Sequence, residues 1–370
     1  MDKKTNNYSS WQVGNAARFA AVMALLTGAL LIGLILNVNI GTVSISIGQV
    51  FSMITQAMGR GFVGLFSSCD AKGVEDIINA STQSQILFSI RIPRLLLATL
   101  LGGALSISGY LLQVFFRNPI AGPFVLGISS GAKMVVGITL IFMTPYFHSI
   151  SSLTLIFAAF LGSLLVTGLV LVFSQKASNM SMLLVIGIMV GYICSAVTDF
   201  CITFADDHNV VNLTNWSMGT FSGASWDHVK TAAWICLPGF FLALIMNKPI
   251  GAYALGEGYA ASMGVSIKPF RVALILLSSI LSACVTALAG PISFVGIAVP
   301  QVCRIMLKSS KPAFMIPATF LCGGAFCVMC DLIARTLFAP TELSIGTITS
   351  FFGAPIVIYM MVKRRRSQEG

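Results

Sequence analysis

Charged residues are scarce in this sequence. Asp, Glu, Lys and Arg make up 9% of its 370 residues, whereas 56% are apolar and the mean hydropathy is +0.90. A soluble domain carries about 25% charged residues to cover its surface, and a disordered chain combines low hydrophobicity with high net charge. Both classes are excluded. The apolar runs are continuous rather than alternating, which argues against an outer-membrane barrel. The composition predicts an all-α polytopic membrane protein.

Clusters of cysteines in polar segments are also lacking. The nine Cys residues are an odd number, and most lie inside apolar runs, as Cys194 and Cys284 do. We interpret them as small apolar residues rather than as a disulfide framework. Cys327 and Cys330 form a C-x-x-C pair in the middle of a predicted helix, without further ligands nearby. We therefore predict no metal site and no cofactor.

Catalytic motifs are missing as well. The chain contains no G-x-x-x-x-G-K-[ST] motif, which would bind ATP phosphates, and no H-E-x-x-H motif. Residues Gly127 to Gly131 fit G-x-S-x-G, but this match opens a predicted membrane span, whereas a nucleophile elbow needs a strand–turn–helix context and a His partner. We predict no catalytic residues and therefore no enzyme.

Ionisable residues at the middle of a membrane span usually mark an ion pathway. Asp199 and Asp331 are predicted near the external ends of their helices, and Lys133 is predicted close enough to the cytoplasm to snorkel. An ion-coupled secondary transporter is the alternative of a different class, but it lacks the acid that it would need in the middle of the membrane.

Ten apolar runs are each long enough to cross a bilayer, which takes about 20 residues. The first run is too long for the apolar core of a signal peptide and lacks an A-x-A-like cleavage site. The ten runs cover about residues 16–38, 94–115, 125–144, 153–174, 182–204, 229–247, 271–289, 292–308, 313–335 and 344–362.

Basic residues orient these spans. With the N-terminus inside, 16 of the 22 Lys and Arg residues fall on the cytoplasmic side, as the positive-inside rule requires. The other six are Arg60, Lys72, Arg91, Arg94, Lys230 and Arg335. We predict a single transmembrane domain over 16–362, with an external loop at 39–90 and a cytoplasmic loop at 247–271. The tails 1–15 and 363–370 are both predicted to be cytoplasmic, and the basic residues are assigned to topology rather than to nucleic acid.

Two features need more than a topological explanation. Arg91 and Arg94 lie one turn apart on the external side, and Arg335 lies there too. They could be interfacial anchors or a docking point for acidic groups, since Arg binds carboxylates bidentately. The segment 254–264 is interrupted by glycines and lies in the one cytoplasmic loop long enough to project. It could be a connector, although we favour a partner-docking element.

Several motifs follow one another in a fixed order from about residue 85 to 362. They include R-I-P-R at 91–94, R-N-P-I-A-G-P at 117–123, L-G-I-S-S-G-A at 126–132, L-G-E at 255–257, G-P-I-S-F-V-G at 290–296, D-L-I-A-R at 331–335 and P-T-E-L at 340–343. Together they resemble the iron–siderophore (FecCD-type) ABC transporter permease family, which includes the cobalamin importer permease. The matching positions that we assign to structure are Asn118, Pro119, Gly127, Gly131, Gly290, Pro291, Pro300, Pro340, Glu342 and Pro355.

The resemblance implies a type II ABC importer permease with ten spanning helices, in the cytoplasmic membrane of a bacterium. It implies a second permease subunit, identical or paralogous, together with two cytoplasmic ATPase subunits and an external substrate-binding protein. The cargo would be a metal chelate. We expect an iron(III)–siderophore chelate, with haem or cobalamin as the alternative carried by the same machinery.

The resemblance also assigns roles to residues. Arg91, Arg94 and Arg335 would receive acidic residues of the binding protein. The coupling segment, which would contact the ATPase, would comprise Leu255, Gly256, Glu257, Ala261, Ser262, Met263 and Gly264. The sequence departs from the family pattern at Gln301, where His is usual, at Lys133, where a small residue is usual, and at Ala261, where Arg is frequent.

Overall fold

A computed structural model describes residues 2–41, 48, 52, 55, 82–143, 151–176 and 180–369. Within these residues all regular secondary structure is helical, so the predicted all-α membrane class is confirmed. Most of the predicted external loop 39–90 lies outside the described part of the chain. The N-terminal segment that we predicted as a tail belongs to the first helix, which begins at Asp2.

Thirteen helices are described. They are α1 (Asp2–Asn39), α2 (Thr82–Phe116), α3 (Ile128–Met143), α4 (Ser152–Lys176), α5 (Met180–Thr203), α6 (Asp207–Met218), α7 (Trp226–Ile245), α8 (Asn247–Leu255), α9 (Glu257–Ser262), α10 (Ile267–Ala289), α11 (Val295–Leu307), α12 (Pro312–Thr336) and α13 (Ile345–Glu369). The stretch Ile86–Arg91 of α2 is π-helical.

Eight of these helices are long and apolar enough to span a membrane, and α3 and α11 are shorter apolar helices. Together they match the ten predicted apolar runs. The two short helices start later than predicted for a local reason. Gly127 has a φ of +75° directly before α3, and Gly290 and Phe294 have φ values of +76° and +63° before α11. These left-handed residues turn the chain and delay the start of each helix.

Helix α2 forms the centre of the bundle. Most of its residues are buried, and it packs against α7, α10, α11 and α12. The first half of α2 lies beside the last turns of α12, because Arg94 pairs with Asp331. Its last residues lie beside α8, because Phe115 stacks on Tyr253. The predicted docking arginines and the predicted coupling segment therefore occupy opposite ends of the bundle, as the topology requires.

Glycines set the depth at which α3 begins. A Cβ on Gly127 would lie 2.9 Å from the Cα of Gly191, and a Cβ on Gly131 would lie 2.6 Å from the carbonyl oxygen of Gly162. Gly162 and Gly191 lie near the middle of α4 and α5, which are both membrane spans. Helix α3 consequently starts at mid-depth of the bundle. The placement of Lys133 close to the cytoplasm was wrong, because the segment before α3 folds back between the helices.

Candidate functional site

The side chain of Arg94 is enclosed by two carboxylates. Its Nε and Nη2 atoms donate hydrogen bonds of 2.9–3.1 Å to Asp331, which lies on α12. Its Nη1 atom donates to Glu342, with distances of 3.1 and 3.2 Å to the two carboxylate oxygens. Arg94 is 7% exposed and Asp331 is 1% exposed, whereas the Glu342 side chain is 44% exposed. One buried and one accessible acid therefore share the same guanidinium group.

The other two predicted docking arginines join this cluster and connect it to α1. Arg335 donates from Nη2 to the backbone carbonyl of Asn37 at 3.1 Å and to its side-chain oxygen at 2.6 Å. The Nε atom of Arg335 lies 3.5 Å from Asp331. Arg91 donates from Nη1 to the carbonyl of Val38. The structure thus brings Arg91, Arg94 and Arg335 together, and each of them hydrogen-bonds within the chain.

We call this set the arginine cluster: Arg91, Arg94 and Arg335 with Asp331 and Glu342. The cluster contains three guanidinium groups and two carboxylates, so it is net positive. The sequence analysis did not predict the pairing, since Asp331 was interpreted as a charge at a helix end. The spacing of Asp331 and Arg335, one helical turn apart, was the available signal.

The predicted coupling segment forms two short helices, α8 and α9, on either side of Gly256. That residue has a φ of +144°, which favours glycine. Tyr253 anchors the pair to the bundle. Its ring is buried, lies 5.3 Å from the Phe270 ring, and has the Arg117 guanidinium 5.4 Å from its centroid. A cation over an aromatic face is a stabilising contact.

A polar contact fixes α9. Glu257 accepts hydrogen bonds from the Tyr253 hydroxyl at 2.8 Å and from Arg271 at 2.5 Å. Burial alone would raise the pKa of Glu257, but the hydrogen bonds from Arg271 and Tyr253 outweigh it, so its pKa lies below the ordinary value. Burial and the hydrogen bond to Glu257 raise the pKa of Tyr253 to about 12. Glu257 is therefore ionised and directed toward the bundle at neutral pH.

Large apolar side chains are exposed on α8 and α9 and directly after them. Leu255, Tyr259 and Met263 recur at every fourth position and are 73%, 49% and 63% exposed. Ala261, Ser262 and Gly264 are exposed beside them. Large apolar side chains at the end of a bundle, next to a rigidly held polar anchor, are typical of a protein-binding surface. We call Leu255, Tyr259 and Met263 the apolar ridge.

A cavity of about 600 Å³ opens between α3, α5, α6 and α13. Seven serines, one threonine and one lysine account for its polar lining. The lining consists of Phe124, Ser129, Ser130, Lys133, Ser195, Ser217, Met218, Pro291, Ser293, Ser344, Gly346, Thr347 and Ser350. Lys133 is the only charged residue among them. The sequence analysis did not predict this cavity, because its hydroxyl groups come from five separate segments of the chain.

The segment between α2 and α3 is held by local hydrogen bonds. The side-chain oxygen of Asn118 accepts from the backbone N–H of Ile120 at 3.1 Å. Gln301 donates to the carbonyl of Pro119 at 3.1 Å and to the side-chain oxygen of Gln113 at 2.8 Å. The glutamine that departs from the family pattern therefore links α11 to this segment and to α2.

The remaining predicted structural residues lie at turns and inside helices. Pro291 follows the turn at Gly290 and lines the cavity. Pro300 and Pro355 lie inside α11 and α13, and the Ala339–Pro340 peptide bond is cis. Over the part of the chain that the structure describes, no group of three or more His, Cys, Asp or Glu residues could hold a metal ion.

A bundle of helices long enough to span a membrane, with an open hydroxyl-lined cavity, defines the protein as a multi-pass membrane protein. Residues 29–363 match the model of the FecCD transport family, and the chain belongs to this family. It is similar to the hemin transport system permease protein HmuU of Yersinia pestis, with 33% identity covering 79% of this chain and 88% of that protein. It is also similar to the vitamin B12 import system permease protein BtuC of Vibrio vulnificus, with 36% identity covering 87% and 93%.

A solved structure of the same fold is described as an inward-facing conformation of a metal-chelate type ABC transporter. It matches with a TM-score of 0.76 and 26% identity, over 92% of this chain and 99% of that one. The chain is therefore a multi-pass permease subunit of a bacterial ABC importer and lies in the inner membrane. The expectation of a transporter rather than an enzyme is confirmed, and the alternative of an ion-coupled secondary transporter is wrong.

Proposed function

We propose that this permease imports an iron(III)–siderophore chelate, powered by ATP hydrolysis in a separate subunit. Its partners are a second permease subunit, two cytoplasmic ATPase subunits and an external substrate-binding protein. The match to the FecCD transport family over residues 29–363 carries the proposal. The chain has no ATP-binding motif of its own, and the solved structure that it resembles is named for metal chelates.

Haem and cobalamin are equally supported as cargo. The relative HmuU is named for hemin transport, and the BtuC relatives are named for vitamin B12 import. All three cargoes are bulky chelates, and the same cavity would serve each of them. Cargo choice therefore needs an uptake experiment.

That experiment uses proteoliposomes that contain the permease with its ATPase, and it adds the binding protein and ATP. Labelled ferrichrome, ferric citrate, haemin and cobalamin are compared. We expect accumulation of ferrichrome or ferric citrate only when ATP and the binding protein are both present, and accumulation of haemin alone would replace the siderophore proposal with the haem alternative. Accumulation of cobalamin alone would replace the iron proposal with the B12 alternative. Uptake without nucleotide would refute an ATP-driven importer.

We assign the apolar ridge to the ATPase contact. Leu255, Tyr259 and Met263 would enter an apolar cleft of that subunit, while Tyr253 and Glu257 hold the two short helices in place. Replacing residues 256–264 with a Gly/Ser stretch should release the ATPase in a pull-down. Leu255→Ser with Met263→Ser should have the same effect, and Lys268→Ser, an exposed neighbour, is the matched control. Full retention of the ATPase by the double variant would refute the assignment.

We assign the arginine cluster to the binding-protein contact. Acidic groups of the binding protein would approach a net positive surface at which only Glu342 is substantially accessible. A carboxylate of the partner would compete with Glu342 for Arg94. A reporter fused after Gly370 tests the orientation that this contact requires. We expect a cytoplasmic signal, and a signal from the other side would invert both assigned surfaces.

A further inference from the structure

The cavity contains a lysine in an unusual position. Lys133 lies on α3 just beyond Gly131, which contacts Gly162 near the middle of α4. It shares the cavity with Ser195 of α5, close to mid-helix. A cation at the centre of a bilayer is costly, and such residues face a water-filled cavity or a partner charge. Lys133 faces such a cavity, and its charge can attract an anionic group that enters it.

No anionic partner is found within the described residues. Lys133 forms no ion pair there, since the ion pairs among those residues involve Arg94, Lys230, Arg271 and Arg335. The cavity lining contains no Asp, Glu or Arg. Seven serines and one threonine surround the lysine, and hydroxyl groups can donate hydrogen bonds to an anion as well as accept them.

Three helices begin at the wall of the cavity. Ser129 and Ser130 lie in the first turn of α3, Thr347 lies in the first turn of α13, and Ser293 precedes the start of α11. The N-terminus of a helix carries a partial positive charge that favours anions. These helix ends add partial positive charge at the cavity wall beside Lys133.

We propose that Lys133 and the surrounding hydroxyls form a subsite for a carboxylate of the cargo. The transported chelate would then carry an exposed acidic group, which Lys133 neutralises as the chelate crosses the middle of the membrane. This inference rests on the proposed function, which makes the cavity part of the transport pathway. It adds a class of cargo, the carboxylate-bearing chelates, and a residue that selects them.

The test compares haemin with its dimethyl ester, in which both propionate carboxylates are replaced by uncharged methyl esters. Their binding to the permease–ATPase complex in nanodiscs is measured by absorbance, without binding protein and without nucleotide. We expect the wild-type complex to prefer haemin by about tenfold, as loss of a close charge pair implies. Lys133→Gln should abolish the preference, and Lys133→Arg should retain it.

Asp199→Asn is the matched control, because Asp199 is an exposed acid one turn beyond Ser195 on α5. We expect this variant to bind both probes as the wild type does. If it preferred haemin more strongly than the wild type does, Asp199 of the second permease subunit would already neutralise Lys133, and the inference would be overturned. Equal binding of the two probes by the wild type, including no binding, would also overturn it.

The binding measurement requires no transport. Failure of ATP-driven uptake in proteoliposomes would refute the proposed function and leave the haemin preference unaffected. Conversely, uptake of uncharged ferrichrome that proceeds equally in the wild type and in Lys133→Gln would sustain the proposed function, while equal probe binding would reject the subsite.

Discussion

The arginine cluster allows a comparison of two carboxylates around one guanidinium group. Asp331→Asn and Glu342→Gln each replace a carboxylate of Arg94 with an amide of the same shape. The two acids bond to Arg94 at similar distances, 2.9 Å for Asp331 and 3.1 Å for Glu342. They differ in exposure, because the Asp331 side chain is 1% exposed and that of Glu342 is 44% exposed.

The burial of each carboxylate determines how much its replacement should lower the free energy of unfolding. Removing one partner of a buried ion pair costs about 3–5 kcal/mol, because the other charge stays buried and uncompensated. Asp331 also faces Arg335, so its loss leaves two guanidinium groups with one acid fewer. A solvent-accessible pair contributes about 0–1 kcal/mol. We therefore expect Asp331→Asn to lower the unfolding temperature strongly and Glu342→Gln to change it little.

The assay is thermal unfolding of the detergent-solubilised permease, followed by tryptophan fluorescence. Equal shifts for the two variants would refute the argument from burial. The same proteins test the docking assignment by titration with the binding protein. Because Glu342→Gln removes the accessible competitor for Arg94, it should tighten docking. Unchanged or weaker docking would show that the partner's acids do not contact Arg94.

Two further predictions concern packing and pH. A Cβ on Gly109 would lie 1.8 Å from the carbonyl oxygen of Gly296, whereas nothing lies within 4 Å of a Cβ on Gly28. Gly109→Ala should destabilise the permease by about 1–3 kcal/mol, and Gly28→Ala, the control, should not. Equal unfolding temperatures for the two variants would contradict the close packing of α2 on α11. Folding lowers the pKa of the Glu257 carboxyl group. Glu257 therefore stabilises the fold above the unfolded-state pKa of 4.5, and this stabilisation is lost as the pH falls through the lower folded-state pKa. Hydrogen exchange in α8 and α9 should accelerate over that range, and the same acceleration in Glu257→Gln would show that another group is responsible.

Patterns along the chain predicted the features that depend on local sequence. Ten apolar runs gave the spanning helices, and the basic residues predicted that Arg94 and the 254–264 segment lie at opposite ends of the bundle. Helix bounds were less accurate: α2 begins at Thr82, inside the predicted external loop 39–90 and before its predicted start at 94, whereas α3 and α11 begin slightly later than predicted. Left-handed residues such as Gly127 and Phe294 delay those helices, and hydropathy carries no information on backbone dihedral angles.

The sequence by itself determined that this protein lies in a membrane, that it is helical and which family it belongs to, because these properties follow from hydropathy and from the order of motifs along the chain. Only the tertiary structure decided that Asp331 and Glu342 share Arg94 and that Lys133 lies in a hydroxyl-lined cavity at mid-depth. The physical reason is that these neighbours are separated by many residues in the sequence. Their meeting depends on how glycines such as Gly131 let the helices approach one another.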